Sequence, residues 1–189
     1  MRKLAALLTS LVLGAPALHP QSTAPIFELR PFAGVSIPTS RQSTLYGESV
    51  LFGAQAGLEI KPTFHVLATL TWIPAHYRLG VSNPDVNLYQ YDVGTEFGIA
   101  APMEPEWVFK PFLGLGAGGR TYSFRASEMY TRTGFAAYGS AGTELQLHRV
   151  AFRFEVRDNV FRYRDPIGAR ASWMRNDVAF SLGLAYHFR

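Results

Sequence analysis

An eight-stranded antiparallel up-and-down β-barrel that crosses a membrane is the fold this sequence predicts, and three observations predict it. Apolar and polar residues alternate with period two over eight long stretches. The charged residues share their face with most of the glycines. The connections between the stretches alternate between short and long.

The chain opens on "MRKLAALLTSLVLGAPA", with Arg2 and Lys3 before an apolar run from Leu4 to Leu13 and an A-x-A site at Ala15–Ala17. This is the layout of a secretory signal peptide. Residues 1–17 are therefore expected to be a cleaved leader, with Ala24 as a later cleavage site that the following Pro25 disfavours. The run is too short to span about 30 Å of hydrocarbon as a helix.

Eight strands follow, near 26–38, 50–60, 64–76, 88–101, 107–125, 134–147, 149–163 and 176–188. In the first, "IFELRPFAGVSI", Glu28 and Arg30 mark the polar face. "VLFGAQAGLEI" and "FHVLATLTW" fit the same template. In "YQYDVGTEFGIA", Tyr89, Tyr91, Val93, Phe97 and Ile99 oppose Gln90, Asp92, Gly94, Glu96 and Gly98. In "WVFKPFLGLGAGGR", Trp107, Phe109, Leu113, Leu115 and Ala117 oppose Lys110, Gly114, Gly116, Gly118 and Arg120. In "FAAYGSAGTELQL", Phe135, Ala137, Ala141, Leu145 and Leu147 oppose Tyr138, Ser140, Gly142, Glu144 and Gln146. In "VAFRFEV", Val150, Phe152, Phe154 and Val156 oppose Ala151, Arg153, Glu155 and then Arg157. The last stretch, "DVAFSLGLAYHFR", sets Val178, Phe180, Leu182, Leu184, Tyr186 and Phe188 against small or polar residues. Such alternation is the signature of a strand with two unlike faces. Segments 61–63, 102–106 and the region of His148 are short, whereas 39–49, 77–87, 126–133 and 164–175 are longer and polar. An even strand count with this rhythm closes as a barrel with both termini at the short-turn end.

Periodicity leaves the facing open, because a soluble lipocalin-like barrel alternates in the same way with its apolar face inward. Glycine, charge and aromatic placement favour the membrane arrangement. Glycine weakens a water-facing strand surface but makes room inside a narrow barrel. The polar face carries Glu28, Arg30, Glu59, Asp92, Glu96, Lys110, Arg120, Glu144, Arg153, Glu155 and Arg157, mixed signs that suit a paired lumen network. Phe27, Trp72, Tyr89, Tyr91, Trp107, Phe109, Tyr186 and Phe188 fall toward strand ends on the apolar face, where interfacial girdles sit.

Ser181-Leu182-Gly183-Leu184-Ala185-Tyr186-His187-Phe188 resembles the C-terminal signal strand of bacterial outer-membrane proteins, with Arg189 following the usual terminal aromatic. The resemblance implies that the barrel-assembly machinery recognises Gly183, Tyr186 and Phe188. Residues 26–188 as a whole, above all "KPFLGLGAGGRTY" and "FRFEVRDNVFRY", resemble the small OmpA/OmpX-type family of eight-stranded outer-membrane barrels. That implies export to the outer membrane of a Gram-negative bacterium, a monomer, and outer-membrane lipid and lipopolysaccharide as surroundings and partners.

Little in the chain points to chemistry. A net charge of +4 without a Lys/Arg cluster argues against nucleic acid, and the absence of cysteine removes disulfides and thiolate metal sites. His19, His65, His76, His148 and His187 stand in no H-x-S arrangement of the lipid A deacylase type. Asp158, Asp165 and Asp177 lack calcium-loop spacing, and "GLGAGG" lies within a strand rather than around a phosphate. No catalytic residue, metal or cofactor is expected. The expectation is a structural or surface-interaction protein with its lumen plugged by charged side chains. A lipid A-modifying enzyme and a soluble periplasmic binder of apolar ligands are the alternatives.

Overall fold

The computed structural model describes residues 25–39, 47–76, 85–104, 106–124, 131–164 and 172–188. The expected leader, and the loop residues Arg78, Asp165 and Arg170, lie outside them. Nine strands run in chain order: β1 (Ile26–Pro38), β2 (Ser49–Lys61), β3 (Phe64–His76), β4 (Asp85–Gly98), β5 (Ala101–Glu104), β6 (Trp107–Phe124), β7 (Arg132–Leu147), β8 (Val150–Arg164) and β9 (Ser172–Phe188). Each pairs antiparallel with its neighbour. The pairings β1–β9 and β4–β6 close the sheet on itself.

β4 and β5 form one wall segment, so the barrel has eight. Gly98↔Phe112 and Ala101↔Phe109 keep a single register across the break. Between them, Ile99 N–H donates to the Pro111 carbonyl at 3.1 Å, and Pro111 has no N–H to return the bond. The strand expected at 88–101 thus begins three residues earlier, at Asp85, and is interrupted where the opposing proline leaves the ladder. The β1–β9 seam is similarly broken between Leu29↔Tyr186 and Phe32↔Gly183, across Pro31.

The tight turns at Pro62–Thr63 and His148–Arg149 lie at the same end as Ile26 and Phe188. His148 adopts φ 57°, the left-handed conformation a two-residue turn demands and a non-glycine residue tolerates at a cost.

The facing is that of a membrane barrel. On β8, Phe152 and Phe154 are 58% and 42% exposed, whereas Arg153 and Glu155 between them are 6% and 5% exposed. Leu113, Leu182 and Val93 are exposed on the outside, and Glu28, Arg30, Glu96, Arg120 and Glu144 are buried inside. A soluble barrel would not hold its charges in the lumen and its leucines on the surface. Aromatic girdles form at both ends. Phe27 and Phe188 stack at 5.4 Å, Tyr186 and Phe188 at 4.8 Å, and Phe64 and Phe97 at 4.9 Å at the short-turn end. Phe52 lies 6.0 Å from Trp72 toward the other end, where Trp72 Nε1 donates to Asn87 at 3.0 Å.

The alternation has one departure. Leu51, Ile73, Val86, Leu88, Tyr122, Ala136, Phe161 and Ala179 point inward and form a buried apolar cluster in the loop-side half of the lumen, with Phe32 and Phe124 against it. Large apolar side chains are therefore not confined to the outer face. The strands extend beyond the ionic zone near the short turns, and this cluster lies above it.

Leu113 lies near the middle of the outward row of β6. Replacing it with arginine is expected to destabilise the barrel folded in lipid vesicles by about 2–4 kcal/mol. Denaturant titration of the vesicle-inserted protein checks this.

The lumen network as candidate functional site

Ten of the eleven charged residues expected in the lumen meet there, in tiers set by strand register. Nearest the short turns, Arg30 donates to Glu28 at 2.6 Å and to Glu96 at 3.2 Å. Arg153 also binds Glu96, and reaches Glu144 at 3.4 Å and Glu155 at 3.3 Å. Lys110 stands 2.5 Å from His65 Nε2, whose Nδ1 is 2.8 Å from Glu28. In the middle tier, Arg157 holds Glu155 at 2.9 Å and Asp92 at 3.4 Å. Above it, Arg120 binds Asp177, and its Nε donates to Gln90 at 2.9 Å. Gln90 donates to Asn159 at 2.8 Å, and Asn159 donates to Asp177 at 2.9 Å.

Glu59 is the exception. It is half-buried at the short-turn rim, opposite His65 in the β2–β3 register, and has no ion pair among the described residues. Its parity is inward, but it sits too close to the strand end to reach the arginines.

Neutral amides and rings complete the network, and these were not among the expected site residues. Gln55, Gln90 and Asn159 add hydrogen bonds to Glu155, Asp92 and Asp177, carboxylates that guanidinium groups also hold. Phe112, Tyr138 and Phe161 lie under the guanidinium groups of Arg153, Arg157 and Arg120 at 3.5, 3.9 and 4.1 Å. Parity held the signal for the rings: Phe112 follows Lys110 by two, and Phe161 follows Arg157 and Asn159 on the same face.

The lumen glycines make room, as expected, but mostly for rings. A Cβ at Gly142 would lie 2.4 Å from the Phe112 ring, and one at Gly53 would lie 2.3 Å from the Phe32 ring. Gly94 and Gly116 receive Tyr138 in the same way. Gly57, against Glu28, Gly98, against Lys110, and Gly118, against Asp92, accommodate charged side chains as expected. The repeated unit is a glycine, a ring over it, a guanidinium on the ring and a carboxylate on the guanidinium. A guanidinium stacked on an aromatic face keeps its in-plane N–H groups free for carboxylates.

Desolvating these charges offsets most of their mutual attraction, so the network is not a large net source of stability; removing one partner, however, costs roughly 3–5 kcal/mol. What it achieves is to bring buried charges of opposite sign into contact across the lumen. The cavity bounded by Phe32, Leu51, Gln55, Arg120, Glu155 and Arg157 has a volume of about 20 Å³, room for about one water.

The histidines contact ionic groups. His65 meets Glu28 and Lys110, and His187 lies between Glu28 and Glu144. His76 pairs with Asp85 at 2.8 Å on the exposed loop-side rim. No group of three or more His, Asp or Glu among the described residues is arranged to hold a metal ion. Gly183, Tyr186 and Phe188 lie on β9, the strand that closes the barrel against β1, with Tyr186 and Phe188 outward.

Neither a scan against protein-family models nor a search of curated proteins finds a match. Solved structures do match. Neisserial surface protein A (NspA) superposes with a TM-score of 0.62 at 15% identity, covering 86% of this chain and 97% of that one. The outer membrane protein OprG from Pseudomonas aeruginosa gives 0.60 at 16% identity, covering 88% and 97%. Outer Membrane Protein W of E. coli gives 0.55 at 15%, covering 89% and 100%. At these identities the likeness is one of fold: the chain has the fold of small eight-stranded outer-membrane β-barrels.

Two glycines on β7 separate lumen packing from simple strand propensity. Gly142→Val drives a branched side chain into Phe112 and the Phe154 carbonyl and is expected to destabilise the folded barrel by about 1–3 kcal/mol. Gly139 faces outward with nothing within 4 Å of its Cβ position, and Gly139→Ala is expected to stay within about 0.5 kcal/mol of the parent. Denaturant midpoints in lipid vesicles compare the two.

Proposed function

We propose that this protein is a monomeric structural barrel of a Gram-negative outer membrane, exported with cleavage of its leader and acting through its loop-side end rather than as a pore or a catalyst. The observation that supports this reading is the density of side chains that point into the lumen. Ion pairs lie in the short-turn half, an apolar cluster lies in the loop-side half, and a cavity between them has room for about one water. An eight-stranded wall is just wide enough for side chains to fill.

Among the described residues, the hydrogen bonds and ion pairs of the lumen include no nucleophile–base pair beside the lipid. The partners of His65 are Glu28 and Lys110, and those of His187 are Glu28 and Glu144. Lipopolysaccharide is the partner proposed for the rim, where His76, Asp85, Trp72 and Asn87 define a polar edge above the apolar wall. The barrel-assembly machinery is proposed to recognise β9 through Gly183, Tyr186 and Phe188, the strand that completes the wall.

Planar-bilayer recording tests the sealed lumen. Purified protein is expected to leave bilayer conductance at its background level. Stable, stepwise channels of porin size, abolished by boiling the sample first, would contradict it.

A further inference from the structure

Among the described residues, the connected ion network lacks one positive charge. Arg30, Arg153, Arg157 and Lys110 are joined, directly or through His65, to Glu28, Asp92, Glu96, Glu144 and Glu155. That is five carboxylates against four cations, and the Arg120–Asp177 pair above is balanced by itself. An uncompensated charge at this depth is strongly unfavourable.

His65 is not the missing cation. Its Nδ1 faces a carboxylate oxygen of Glu28 at 2.8 Å, and its Nε2 faces the Lys110 ammonium at 2.5 Å. An ammonium only donates, so His65 Nε2 must accept, and the His65–Lys110 pair carries one charge between them.

His187 is placed differently. Its Nδ1 lies 3.5 Å from Glu28 Oε2, and its Nε2 lies 3.6 Å from Glu144 Oε1. All four of these atoms are buried and have no other hydrogen-bond partner. A neutral imidazole would turn one lone pair toward a carboxylate oxygen; an imidazolium donates at both nitrogens. Asp92, held by Arg157 at 3.4 Å and by Gln90 at 3.1 Å, is the competing site for the proton.

We propose that His187 is the fifth cation of the lumen: an imidazolium that bridges Glu28 of β1 and Glu144 of β7 and latches the end of the closing strand β9. His187 is the next-to-last residue of β9, between Tyr186 and Phe188. Its backbone N–H already donates to the Arg149 carbonyl at 2.9 Å. The two carboxylates come from strands on either side of β8 and β9, so the latch is complete only in a closed barrel.

The test uses the whole protein refolded into lipid nanodiscs with ¹⁵N-labelled histidine. The expected spectrum shows protons on both ring nitrogens of His187 and on Nδ1 alone of His65. A bare ring nitrogen at His187 would overturn the proposal, since the missing proton would then sit on a carboxylate. Variants give an independent readout through the denaturant midpoint. His187→Gln leaves the network one negative charge in excess and is expected to lower the midpoint. Adding Glu144→Gln restores neutrality and is expected to recover part of the loss. A further loss in the double variant would mean that His187 is neutral in the parent and that Glu144 serves only the arginines.

Discussion

In hydrocarbon a backbone N–H or C=O without a partner is strongly unfavourable, so a sheet that crosses a bilayer must have no edge. Closure of β4 onto β6 and of β1 onto β9 is therefore the constraint from which the rest of this molecule follows. Eight wall segments make a narrow cylinder. A narrow cylinder in lipid must present carbon outside and fill its own interior. The alternation of Phe152, Arg153, Phe154 and Glu155 is that requirement written into one strand.

Filling the interior is the harder demand. Long charged side chains alone would leave voids between their stems, and their charges would lie unpaired wherever register failed to bring opposite signs together. The glycine–ring–guanidinium–carboxylate unit resolves both problems. Gly142 lets Phe112 lie flat on the wall, Phe112 carries the Arg153 guanidinium, and Arg153 reaches Glu96, Glu144 and Glu155. Tyr138 and Arg157 repeat the device over Gly94 and Gly116. Above the arginines the lining changes to Leu51, Ile73, Leu88 and Phe161, an apolar cluster in the loop-side half of the same lumen.

Much of this was legible in the sequence, for a physical reason. Period-two alternation is a local property, and the eight strands follow from it to within a few residues at their ends. The facing was legible because glycine and charge share a parity, a pattern that a soluble barrel has no use for. Three things were not legible. Phe32, Phe112 and Phe161 have inward parity, but size alone suggests the outer face, and only their guanidinium and glycine neighbours explain their place. Glu59 has inward parity too, yet its height along the wall keeps it out of the network. Which arginine meets which carboxylate depends on the stagger of all eight segments, as with Arg153 of β8 meeting Glu96 of β4 across the lumen. No local pattern encodes that meeting.

The most direct test of the inverted facing uses the absence of native cysteine. Single cysteines at Phe152, Leu182 and Leu113, each on a different strand, would carry a fluorescent label in vesicles whose lipids bear bromine at mid-chain. Strong quenching at all three sites, with no reaction toward a membrane-impermeant thiol reagent, is the predicted result. Unquenched labels that react freely with that reagent would contradict it and would place these side chains in water or in an internal cavity.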